Sequence, residues 1–198
     1  TAVPGKTYYY FVQAAASSTG WRHSSFSAGR SGYRKLDMPA GVWASSGKYV
    51  DRVTVSWHPV PGASAYRVFR SDSATGLKTP LGPWQTACFV LDRTATPGRT
   101  HFYFIQAAVT ATGWRHSSFS SFRKGWRALA APMGIVASDG RYKDRVVITW
   151  TPVARATHYR LYRAASTGGP KTPLGSWRAA TSYSNYSATP GVTYYYFV

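Results

Sequence analysis

The sequence predicts an all-β chain built of two-sheet sandwiches that repeat every 93 residues. Three observations carry this prediction. Thr7, Thr100 and Thr193 open the same aromatic segment and stand 93 residues apart, the mark of a repeated structural unit. Short stretches alternate apolar and polar residues with period two, the pattern of a half-buried strand. Turn dipeptides such as Ser46-Gly47, Pro61-Gly62, Thr75-Gly76, Pro97-Gly98 and Thr112-Gly113 punctuate these stretches, and no window carries a sustained helical stripe.

Within one period the elements follow in order. Val53, Val55 and Trp57 alternate with Thr54 and Ser56, and Val146, Ile148 and Trp150 repeat the pattern one period on. Tyr66-Arg67-Val68-Phe69-Arg70 and Tyr159-Arg160-Leu161-Tyr162-Arg163 predict two-sided strands. Next comes Lys-Thr-Pro-Leu-Gly-x-Trp, at Lys78–Trp84 and Lys171–Trp177. Its Pro and Gly exclude a central strand and predict an edge or loop that carries a tryptophan. Pro97-Gly98 then leads into Thr100–Ile105, a segment also present at Thr7–Val12 and Thr193–Val198. Gly32-Tyr33-Arg34 and Gly125-Trp126-Arg127 mark short passages between units, too poor in Ser and Gly to act as flexible linkers. Residues 13–105 and 106–198 align without a gap and agree at about 48 of 93 positions. About seven short strands per period predict a sandwich.

Pro39 and Pro132 at the unit start, Trp57 and Trp150 in the second strand, and Tyr66 and Tyr159 in the third together resemble the fibronectin type III domain. The combination ASxGxYxDRV, YRVFR, TATPG, YYF and GWRAL is similar to tandem fibronectin type III (immunoglobulin-like) β-sandwiches of large bacterial surface proteins. The resemblance implies the following division. Residues 1–37 are the last two strands of a preceding domain, 38–130 are a complete domain, and 131–198 are a domain lacking its final strand. It also implies a tyrosine corner at Tyr8 and Tyr194, with the hydroxyl tied to backbone, and a looser corner where His101 stands in the middle copy. A sandwich without its last strand exposes an unpaired edge, so a longer tandem array, or strand addition by a neighbouring copy, is the expectation.

Composition bounds the function. Lys and Arg total 24, of which 17 are Arg, against six Asp and no Glu, giving a net charge of +18. Such a chain repels its own copies at low salt and attracts polyanions. Without Glu, paired-carboxylate chemistry would rest on scattered Asp. The five His have no metal-ligand spacing, and Cys88 stands alone as a small apolar residue. No catalytic residue, cofactor or metal site is predicted, so the chain reads as a non-enzyme. No apolar run reaches the length of a membrane-spanning helix.

The stretch TGWRHSSFS occurs verbatim at Thr19–Ser27 and Thr112–Ser120. Phe26 and Phe119 have the spacing of core residues in a last strand, whereas Trp21, Arg22 and His23, with Trp114, Arg115 and His116, are not needed for a sandwich. Trp and Arg on a loop are the composition of a contact hot spot. Trp84 and Trp177 either fold back over the sandwich rim or dock on a neighbour. The expected function is therefore a structural repeat of an extracellular or cell-surface fibre, stalk or matrix, whose partners are copies of itself or adjacent repeats. The alternatives are a basic module gripping extracellular DNA or acidic polysaccharide, and a passive spacer within a larger secreted enzyme.

Overall fold

The computed structural model describes residues 1–198. Every regular element is a strand, and no helix is long and apolar enough to cross a membrane. The chain divides into two compact units. One comprises residues 1–46, 52–95 and 100–126; the other comprises 47–51, 96–99 and 127–198.

In the first unit, β1 (Thr7–Tyr10) and β2 (Arg30–Tyr33) form an antiparallel pair. A two-sheet sandwich follows. Its smaller sheet has the order β3 (Trp43–Ala44), β4 (Val53–Ser56), β7 (Phe89–Asp92). Its larger sheet has the order β6 (Thr79–Pro80), β5 (Ala65–Ser71), β8 (His101–Ala108), β9 (Arg123–Gly125). Period-two alternation sends Val53, Val55, Tyr66, Val68, Tyr103 and Ile105 into one core with Trp57 and Leu36, and Cys88 packs half-buried against it. The indole of Trp57 meets the ring of Tyr66 at 5.6 Å, and the Tyr66 hydroxyl accepts a hydrogen bond from the Val60 amide.

The second unit repeats this plan. One sheet has the order β10 (Met133–Ala137), β11 (Val146–Thr151), β14 (Ser182–Asn185). The other has the order β13 (Thr172–Arg178), β12 (Tyr159–Ala164), β15 (Tyr195–Phe197). Ile148, Trp150, Tyr159 and Leu161 form its core, and Trp150, Tyr159 and Val153 repeat the ring contact and hydroxyl bond. The Lys-Thr-Pro-Leu-Gly-x-Trp segment lies at a sheet edge in both copies. In the third copy it is a seven-residue strand despite Pro173 and Gly175, because a shift in register between Tyr159 and Leu161 accommodates it.

Candidate functional site

The repeated loop is built from its hydroxyls. In the middle copy, the segment after β8 runs back along that strand with serine side chains taking bonds a regular ladder would give to carbonyls. The Ala107 amide donates to Ser117 Oγ at 3.0 Å and the Ile105 amide to Ser120 Oγ at 3.0 Å. The Ser117 and Ser120 amides return bonds to the Ala107 and Ile105 carbonyls. Gln106 donates its amide to the Ser117 carbonyl and lies 3.2 Å from His116 Nδ1. The first copy repeats this arrangement: Ala14 and Val12 amides donate to Ser24 and Ser27 Oγ, and Gln13 donates to the Ser24 carbonyl. Ser24, Ser27, Ser117 and Ser120 therefore belong to the folding of the loop.

Phe119 does not enter the sandwich core, contrary to the spacing argument. Ser117 and Ser120 take the buried positions. Phe119 lies on the outer face of the larger sheet, 5.0 Å from Phe69 and 6.1 Å from Phe104. Phe26, likewise expected inside, is exposed and meets Phe11 at 6.3 Å.

The loop tip aims an arginine. Gly113 has φ 84° and Arg115 has φ 52°; in the first copy Gly20 has 77° and Arg22 has 54°. A left-handed conformation costs a non-glycine residue on the order of 1–2 kcal/mol, yet both arginines adopt it. The middle copy contains a use for it. The Arg115 guanidinium sits 3.9 Å from the Tyr33 ring centroid and 3.9 Å from that of Trp114. It donates to Thr7 Oγ1 at 2.7 Å and to the Gly5 carbonyl at 3.3 Å. Arg115 thus fastens the loop after β8 to the segments around β1 and β2. Val109 lies against Gly5 from the same side.

The two repeated islands meet in space. The Trp84 indole covers Gly113 so closely that a Cβ there would run into the ring, so tryptophan at 84 requires glycine at 113. Lys78 places its ammonium 4.6 Å from the Phe104 ring centroid and 5.4 Å from that of Phe119. In the third copy Lys171 lies 4.6 Å from Phe197, and Trp177 is 60% exposed. In the first copy Trp21 is 70% exposed, Arg22 is exposed, and His23 hydrogen-bonds near Gln13 and Ser24.

At the corner positions, the Val3 amide donates to Tyr8 Oη at 3.0 Å. Tyr194 donates to Thr189 Oγ1 at 3.1 Å. His101 is buried, with Nδ1 3.0 Å from Asp72 Oδ1. Buried Asp92 accepts from Arg70 at 2.8 Å, Tyr103 at 2.9 Å and Thr94. Burial alone would push its carboxyl up, but these hydrogen bonds hold it below the usual carboxylate range. Burial beside Asp92 pushes the Tyr103 phenol up. The third copy has Asn185 in place of Asp92, donating to Tyr196 Oη and accepting from Ser187.

Sequence reasoning missed the receiving half of the contact, namely Gly5, Thr7 and Tyr33. The signal was present in the recurrence of Pro-Gly-x-Thr and of Gly-aromatic-Arg, but each of those had already been given another purpose.

No protein-family model matches the chain. A two-domain fibronectin type III segment of chicken tenascin superposes with a TM-score of 0.57 at 23% identity, covering 80% of this chain and 87% of that one. A fibronectin type III-like protein of Clostridium thermocellum matches 46% of this chain and 93% of its own, at 22% identity and TM-score 0.42. The first three such domains of chicken CNTN1 match 95% of this chain and 70% of theirs, at 13% identity and TM-score 0.37. With sandwiches repeated at 93 residues, the sheet orders above and the tenascin superposition, the chain has the fold of tandem fibronectin type III domains.

Proposed function

We propose that this chain is a structural repeat segment of an extracellular fibre, stalk or matrix, a non-enzymatic module that associates with its own copies. The observation that carries this reading is the Arg115 contact. A verbatim repeated loop spends backbone strain to hold a neighbouring segment, with two rings and two oxygen acceptors on one guanidinium. Strand completion is the second element of the proposal. In the second unit, Tyr142, Pro190, Gly191, Val192, Tyr194 and Tyr196 line an open cleft of about 530 Å³. The counterparts of Tyr142 and Gly191 one period earlier are Tyr49 and Gly98. There the Ala128 amide donates to the Tyr49 carbonyl and the Gly98 amide to the Arg127 carbonyl. In this proposal a strand end of the same type, supplied by another copy, would make the same bonds to Tyr142 and Gly191. Sedimentation of the 198-residue chain from 1 to 100 μM, with electron microscopy at the upper end, tests the proposal. Growth into filaments supports it, and isolated particles throughout overturn it.

A second reading, as a module for anionic polymers, is favoured by the outer face of the larger sheet in the first unit. Phe69, Phe102, Phe104, Phe119 and Phe122 form a run of edge-to-face contacts there. Lys78, Lys124 and Arg67 lie over these rings. Binding to duplex DNA or alginate would then weaken linearly in log affinity against log salt. A flat response removes this reading.

A further inference from the structure

On the outer face of the larger sheet in the first unit, cations stand over the aromatic rings. Every residue concerned lies between Arg67 and Lys124, with the strands of both sheets around it. Alternation with the core residues Val68, Tyr103 and Ile105 turns Arg67, Phe69, Phe102 and Phe104 outward. Phe69, Phe119, Phe104, Phe122 and Phe102 then meet one after another, with centroids 5.0, 6.1, 6.0 and 5.2 Å apart. Their planes cross at 60° to 89°, so ring edges meet ring faces. Phe104 is buried without belonging to the core, because Phe119, Phe122 and Lys78 cover it. Lys78 stands over Phe104 and Phe119, Lys124 over Phe102, and Arg67 over Phe69. The first unit has three carboxylates, and each is engaged elsewhere: Asp37 with Arg34, Asp72 with His101, and Asp92 with Arg70.

We infer that this face binds an acidic polysaccharide, a chain carrying carboxylate or sulfate groups. The inference rests on the anionic-polymer reading above and names its ligand. Three features select sugar over nucleic acid. Single-stranded DNA is held by bases stacked on open aromatic faces, whereas these rings are tilted into one another or roofed by a cation. Duplex DNA is read by a helix or a narrow ribbon that enters a groove, and the flat of a four-stranded sheet enters neither groove. Finally, a ring beneath an ammonium holds it in place and leaves its outer N–H donors turned to solvent, a point charge suited to a carboxylate or sulfate. Lys78 adjoins β6 at one edge and Lys124 lies on β9 at the other. Three strand spacings separate them, roughly 14 Å, and a thin flexible chain laid across the strands meets both. Between them the phenyl rings offer apolar ground to the C–H faces of sugar rings. The pairing recurs one period on, with Arg160 over Tyr162 at 5.8 Å and Lys171 over Phe197 at 4.6 Å.

The test titrates the 198-residue chain with sodium alginate at about 50 mM salt, where surface charges still act over several ångströms. Poly(dT) and a random-sequence DNA duplex, matched in charge concentration, serve as comparisons. Alginate is expected to bind at least about fivefold more tightly per charge than either DNA. Lys78→Gln combined with Lys124→Gln is expected to weaken alginate binding about tenfold. Lys48→Gln combined with Lys143→Gln removes the same charge from exposed positions off this face. That pair is expected to weaken binding by less than about twofold. Matching melting curves verify that both double variants fold. Equal losses in the two double variants, or DNA bound as tightly as alginate, overturn the inference and leave the anionic-polymer reading standing. Failure to bind any of the three polymers removes both.

Discussion

Ser117 and Ser120 show how much of a repeated motif can be fold chemistry. Each hydroxyl accepts a buried amide, so Ser117→Ala or Ser120→Ala leaves a donor without a partner. The cost is expected to be about 1–3 kcal/mol in denaturant unfolding of the first unit. Asp92 supplies a second residue-scale expectation. Its carboxyl is held below its ordinary value in the fold, so its stabilisation is present above the unfolded carboxylate value. It is lost as pH falls through the lower, folded value. Urea midpoints of the first unit should therefore hold from pH 7 down to about pH 4 and decline below it. Asp92→Asn, the residue the third copy carries naturally at position 185, should flatten that decline while lowering stability at neutral pH, where Arg70 loses its counter-charge.

At the scale of elements, the joint between an edge segment and a loop is the unit of meaning. Trp84 covers Gly113, which positions Arg115, which holds Thr7 and Tyr33. Arg115→Ala should speed hydrogen exchange at the Gly5 amide and in β1 by about tenfold, through the loss of two ring contacts and two hydrogen bonds. Arg115→Lys should restore only part of this, since an ammonium lacks the planar fork. Much of this level was legible in the sequence. Period-two alternation located β4, β5, β11 and β12, and Pro80 with Gly82 marked the edge. What could not be read was which face Phe119 occupies, because serine hydroxyls substituted for ladder carbonyls and displaced the expected register. Nor could the partner of Arg115 be read. Its acceptors lie more than 80 residues away, in turns whose local chemistry already accounted for their residues.

For the whole molecule, charge and contact act against each other. A net charge of +18 opposes assembly at low ionic strength, so sedimentation should show association strengthening from 0.02 to 0.3 M salt. Binding to an anionic polymer would move the opposite way over the same range, which separates the two readings in one titration. The placement of the cations has a further consequence. Arg115, Arg145, Arg163, Arg178, Lys78 and Lys171 rest on aromatic faces, and the chain has only six carboxylates with which they could pair. Guanidinium and ammonium groups stay protonated in acid, and their attraction to a ring face needs no carboxylate. Such contacts would keep their grip in acid, where pairs that depend on a carboxylate slacken.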